Sequence, residues 1–139
     1  MSSNYKYNKE ISLLSKCPPT DASCKDIVAW RWTAAPITDN CFHPEALNNP
    51  KRFLDSSDYT KCSAWAVSMF TSKADAKERM DQLCQNNPKL RQKKGGHVSR
   101  GSITVSDGVV TETDKNGHFN FHPSNHFDWK ASFVVVGSL

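Results

Sequence analysis

The chain has 139 residues, 37% of them apolar, with 4 Trp, 7 Phe and a formal charge of +4. That is enough for one core, since a chain of this size buries about two thirds of the surface its unfolded form exposes. The aromatic content excludes a disordered tail. No apolar run reaches the ~20 residues a spanning helix needs, and the mild positive charge is thin support for a nucleic-acid binder.

Residues 1–26 are polar apart from Ile11, Leu13 and Leu14 and carry Pro18-Pro19. They predict a terminal segment with a short helix over 9–16 and then an irregular or disordered connector. With no uninterrupted apolar stretch at the start, the reading is a cytoplasmic protein without a membrane anchor. A single α+β domain is expected over residues 27–139. It opens with a strand over 27–33, rich in β-branched and aromatic residues. Val28, Trp30 and Trp32 share one strand face, and Ile27, Ala29, Arg31 and Thr33 the other. Residues 34–61, with several Pro, Asn and Asp, read as a long loop with one helical turn, of the kind that packs over a site.

Residues 62–70 fit strand or helix by periodicity. Ser72 is a good N-cap, with Asp75 three residues on, so a helix is expected from there to about Cys84. Its apolar stripe is Ala76, Met80, Leu83 and Cys84. Strands follow over 98–105, 109–113 and 118–122, separated by the turns at Ser106-Asp107-Gly108 and Asp114-Lys115-Asn116-Gly117. A last apolar strand over 131–136 reads as buried on both faces. The expected fold is therefore α+β, a mainly antiparallel sheet with one principal helix packed on it.

Cys17, Cys24, Cys41, Cys62 and Cys84 are odd in number and show no Cys-x-x-Cys spacing. Free thiols and no metal are expected. A zinc site would have to gather distant ligands, such as Cys41 and His43 with later histidines.

Four segments carry residues suited to chemistry. On a strand, His118, Asn120 and His122 stand in a row about 7 Å apart, opposite Phe119 and Phe121. Such imidazoles suit proton transfer, and a solvated outer face is the plainer account. Arg31 needs a carboxylate or a bound anion if buried. Ser68, Thr71 and Ser72 lie where a strand hands over to a helix, with capping enough to explain Ser72. The run from Pro88 to Gly96 carries four positive charges and reads as a solvated loop.

The order of Trp30-Arg31-Trp32-Thr33, then Ser68-Met69-Phe70-Thr71-Ser72 with Ala74 and Ala76, resembles the ADP-ribosyltransferase superfamily, arginine-serine-glutamate class. The resemblance covers residues 27–136. It implies a small NAD-utilising, toxin-like enzyme in which Arg31, Ser68 and Thr71 hold the dinucleotide. Glu112, His118 and His122 would then be the catalytic candidates. The stretch where that family carries its glutamate reads His118-Phe119-Asn120-Phe121-His122-Pro123, and Glu112 is the nearest acid. Two other readings stand beside it. One is a non-enzymatic binding, accessory or immunity domain whose histidine face and loop at 34–61 form a docking surface. The other is metal-independent RNA cleavage by His118 and His122, with Arg31 or Lys93 steadying the phosphorane.

Overall fold

In the computed structural model, which describes residues 4–139, six strands form one antiparallel sheet. They are β1 (Ile27–Thr33), β2 (Val67–Phe70), β3 (His97–Ile103), β4 (Gly108–Val110), β5 (His118–Pro123) and β6 (Val134–Ser138), ordered β4-β5-β2-β1-β3-β6. The helices are α1 (Asn8–Ile11), α2 (Glu45–Asn48), α3 (Asp58–Ala64), α4 (Lys73–Cys84) and α5 (Leu90–Lys93). The α+β class is as the residue pattern indicates, with α4 the longest helix. No helix among the described residues is long and apolar enough to cross a membrane.

Strand alternation sorts the core into two faces. Ala29, Val67, Met69, Ile103, Val110, Phe119 and Phe121 point to one side. There they meet Phe42, Phe127 and Phe133 from the connecting segments. Phe70 and Val98 point to the other side with Trp30 and Trp32, and α4 covers them through Ala76. Trp32 fixes the helix by donating from Nε1 to the Ala76 carbonyl at 2.8 Å. The helix starts where expected: Ser72 Oγ accepts from the Asp75 N–H at 3.0 Å, leaving Ala76 and Met80 buried below. Gly101 lies against the Phe133 ring so closely that a Cβ there would overlap it, which accounts for a glycine inside β3.

Several sequence expectations change. The stretch at 62–70 is both elements in turn, α3 ending at Ala64 and β2 beginning at Val67. The loop at 34–61 folds into two short 3-10 turns, α2 and most of α3. The final strand is not buried on both faces. It is an edge strand beside β3, with Val134 59% and Val135 37% exposed; three consecutive valines state a β preference but not a place in the strand order. The helix expected over 9–16 closes after one turn, yet the segment is tied to the sheet by bridges from Tyr5 to Ser124 and from Ser23 to Val110.

The free-thiol expectation is also corrected. Cys17 and Cys62 form a disulfide, while Cys24, Cys41 and Cys84 are free thiols. The partners are 45 residues apart in sequence, so only the packing of the N-terminal segment on α3 makes them neighbours.

Candidate functional site

β1 and β2 pair at a single register position, Trp30 with Phe70. Arg31, one residue on, supplies what the ladder lacks: Nη1 donates to the Ser68 carbonyl and Nε to the Cys41 carbonyl, both at 2.6 Å. Its guanidinium lies over the Phe42 ring, 5.8 Å from the centroid, on the strand face opposite Trp30 and Trp32. No carboxylate comes within ion-pair distance of it among the described residues. Burial lowers its pKa to about 10, opposed by the nearby Cys41 and Glu45, so the group stays charged at neutral pH. Two of the five guanidinium N–H groups serve backbone carbonyls, and Nη2 has no protein acceptor among the described residues.

A cavity of about 300 Å³ opens on this group, lined also by Cys41, His43, Ser63, Ser68 and Lys94. Burial pushes the Cys41 thiol up. Hydrogen bonds from Ala34 and Thr38 and the charge of Arg31 outweigh that and hold it below its ordinary value. Lys94 reaches Glu45 at 2.9 Å.

A second cavity of about 510 Å³ adjoins the first, because Ser63 and Ser68 line both. Its other walls include Asp21, Tyr59, Glu112, Asp114, His118 and Asn120. Asn120 pairs with Ser68 across β5 and β2 and reaches Ser63 Oγ at 3.4 Å. Burial lowers the His118 pKa, with Arg79 and Arg31 adding to the shift and Asp114, 3.6 Å away, opposing it. Burial raises that of Asp114, but the N–H groups of His118 and Asn116 more than offset it and keep the carboxylate ionised. At one end of the cleft stands Arg31, the positive charge without an ion pair there among the described residues, since Lys94 is paired with Glu45 on the same wall. The other carries the three carboxylates Asp21, Glu112 and Asp114 beside a neutral imidazole. No protein-family model, curated protein or solved structure matches this chain. The cleft's chemistry is therefore the guide to its use.

Of the residues singled out from sequence, Arg31 and Ser68 line the first cavity, and Ser68, Glu112 and His118 the second. Thr71 lines neither; its N–H and hydroxyl are taken by the Gly117 carbonyl, at 2.8 and 3.4 Å. His122 lines neither as well. It is 2% exposed, with Nε2 3.9 Å from Cys62 Sγ, so His118 and His122 meet in neither of these cavities despite sharing a strand face. Sequence reasoning missed Ser63, Asp21 and Asp114 as wall residues, since nothing local marks them. It also took the run holding Lys94 as solvated, when its last lysine turns onto α2.

Burial lowers the His122 pKa from 6.5 to about 4. As pH falls, the unfolded chain takes this proton first. The contribution to stability is therefore complete above about 6.5 and is lost on the way down to about 4. Between pH 7 and 4 the expected loss from this group is on the order of 3 kcal/mol. Urea unfolding across that range should show a slope in wild type that His122→Gln flattens. Parallel profiles would contradict it.

Proposed function

We propose that the cleft binds a dinucleotide with an anionic centre and a cationic end, and that the protein is an NAD-utilising ADP-ribosyltransferase-like enzyme. The observation that carries this reading is the polarity of the cleft. Arg31, charged and without a carboxylate partner among the described residues, opens on one cavity, and Glu112, Asp114 and His118 line the adjoining one. A guanidinium with an unused edge suits a pyrophosphate. The acidic end suits a nicotinamide, which is positively charged, and the positive charge that develops on ribose as it leaves.

In the proposed reaction the bond between the ribose anomeric carbon and the nicotinamide nitrogen breaks, and nicotinamide leaves with the electron pair. Water or an acceptor side chain attacks the same carbon and gives up a proton. Glu112 stabilises the developing charge and holds a ribose hydroxyl, Ser68 positions the nicotinamide ribose, and neutral His118 is placed to accept the proton. Thr71 follows β2 directly and, bonded to the Gly117 carbonyl, holds the end of the strand that carries Ser68. A cytoplasmic setting, where NAD is present, belongs to this reading.

Incubation with NAD is expected to release nicotinamide, followed by chromatography. Glu112→Gln should lower the rate by at least about 100-fold, the usual cost of losing an electrostatic stabiliser. No release by wild type would sink the enzymatic reading. A docking domain is then favoured by Leu54 and Tyr59, 68% and 77% exposed in the segment before and within α3.

A further inference from the structure

Where α3 lies against β5, three donor atoms meet that the cleft does not use. Cys62 and His122 are each 2% exposed, Cys17 is half-buried, and the two sulfurs and an imidazole nitrogen all lie within 4.8 Å of one another. A buried imidazole needs a polar partner. For His122 the hydrogen-bonding contact among the described residues is Cys62 Sγ, at 3.9 Å, a weak partner for a nitrogen. The ring is thus aimed at sulfur from inside the protein rather than held by a carboxylate or a backbone carbonyl.

We infer that Cys17, Cys62 and His122 form a redox-gated metal site, closed as a disulfide in the oxidised chain and binding one Zn²⁺ in the reduced chain. A thiol reductant supplies the electrons. Two equivalents of RSH convert the disulfide to two thiols and leave as RSSR. Zn²⁺ then displaces two protons from the thiols and accepts the lone pair of the imidazole nitrogen. With Zn–S near 2.3 Å and Zn–N near 2.0–2.1 Å, tetrahedral donors stand about 3.5–3.8 Å apart. The two sulfurs therefore separate to about that distance while the imidazole stays close to where it is. The fourth position falls to water or an exogenous ligand. The ion would hold the N-terminal segment on α3 and β5 in a reducing compartment, where a disulfide does not persist. This site is independent of the dinucleotide reading.

The test uses the full chain, reduced with a phosphine under argon, freed of metal and titrated with Co²⁺. One equivalent is expected to produce thiolate-to-cobalt charge transfer and the visible bands of a tetrahedral site. Zn²⁺ should bleach them, and the oxidised chain should give none. His122→Ala should weaken binding by at least the roughly 10- to 100-fold that loss of a supporting partner costs, and Cys17→Ser should remove one thiolate's share of the charge transfer. Circular dichroism recorded alongside reads the fold. Reduced wild type without a stoichiometric thiolate band, whether or not its fold returns on adding Zn²⁺, overturns the inference. So does a band of unchanged intensity and affinity in Cys17→Ser.

Discussion

In chelator-containing buffer, removing the Cys17–Cys62 cross-link by the double substitution Cys17→Ala, Cys62→Ala is expected to cost about 4 kcal/mol. The figure follows from loop closure: a bridge across 45 residues removes that much conformational entropy from the unfolded chain in the chain-entropy description. For a domain of this length it corresponds to a fall in Tm of about 14 °C. The consequence reaches the cleft. Cys62 sits next to Ser63 on α3, and Ser63 lines both cavities and accepts from Asn120 Nδ2. Loosening α3 should therefore disturb the junction of the cavities as well as the global stability. Equal denaturant midpoints for wild type and the double variant would show that the bridge is not closed in the folded protein.

The second large effect falls on Arg31. Substitution by Met removes two charge-assisted hydrogen bonds and leaves the Ser68 and Cys41 carbonyls without their donor, an expected cost of about 3 kcal/mol or more. Arg31→Lys keeps a charge but not the fork that reaches two carbonyls and still presents a free edge. Lysine should retain more stability than methionine and still lose about 100-fold in affinity for a pyrophosphate, the worth of one good charge-assisted pair. The two variants thus separate the structural bonds of Arg31 from its proposed ligand bond.

The fold was readable wherever a local pattern and its tertiary role coincide. Ser72 and Asp75 mark the start of α4 because capping is local chemistry, and alternation along β5 places Phe119 and Phe121 in the core. Local pattern fails where strand order decides. Val134 and Val135 look like a central strand and lie at the edge, because nothing in their own sequence says how many strands lie beyond them. The Cys17–Cys62 pair is hidden for the same reason, since it depends on where an irregular segment comes to rest.

Legibility of the site follows the same division. Arg31 stands out as a charge in mid-strand, and the sequence requires it to find a partner. That the partners are carbonyls, and not a carboxylate, follows from the brief pairing of β1 with β2. The equal spacing of His118, Asn120 and His122 is also legible. The burial of His122 is not, because α3 and the N-terminal segment cover only one end of that row.

Above all, the guanidinium of Arg31 is the proposed anchor of the dinucleotide. The most direct test of this role is the melting temperature of wild type and Arg31→Lys with increasing NAD. A ligand at 100 times its dissociation constant should stabilise wild type by about 2.7 kcal/mol, roughly 9 °C for a chain of this length, while the lysine variant shows little rise at the same concentration. A wild-type melting temperature that does not move with NAD, or one that moves equally in both proteins, would contradict it.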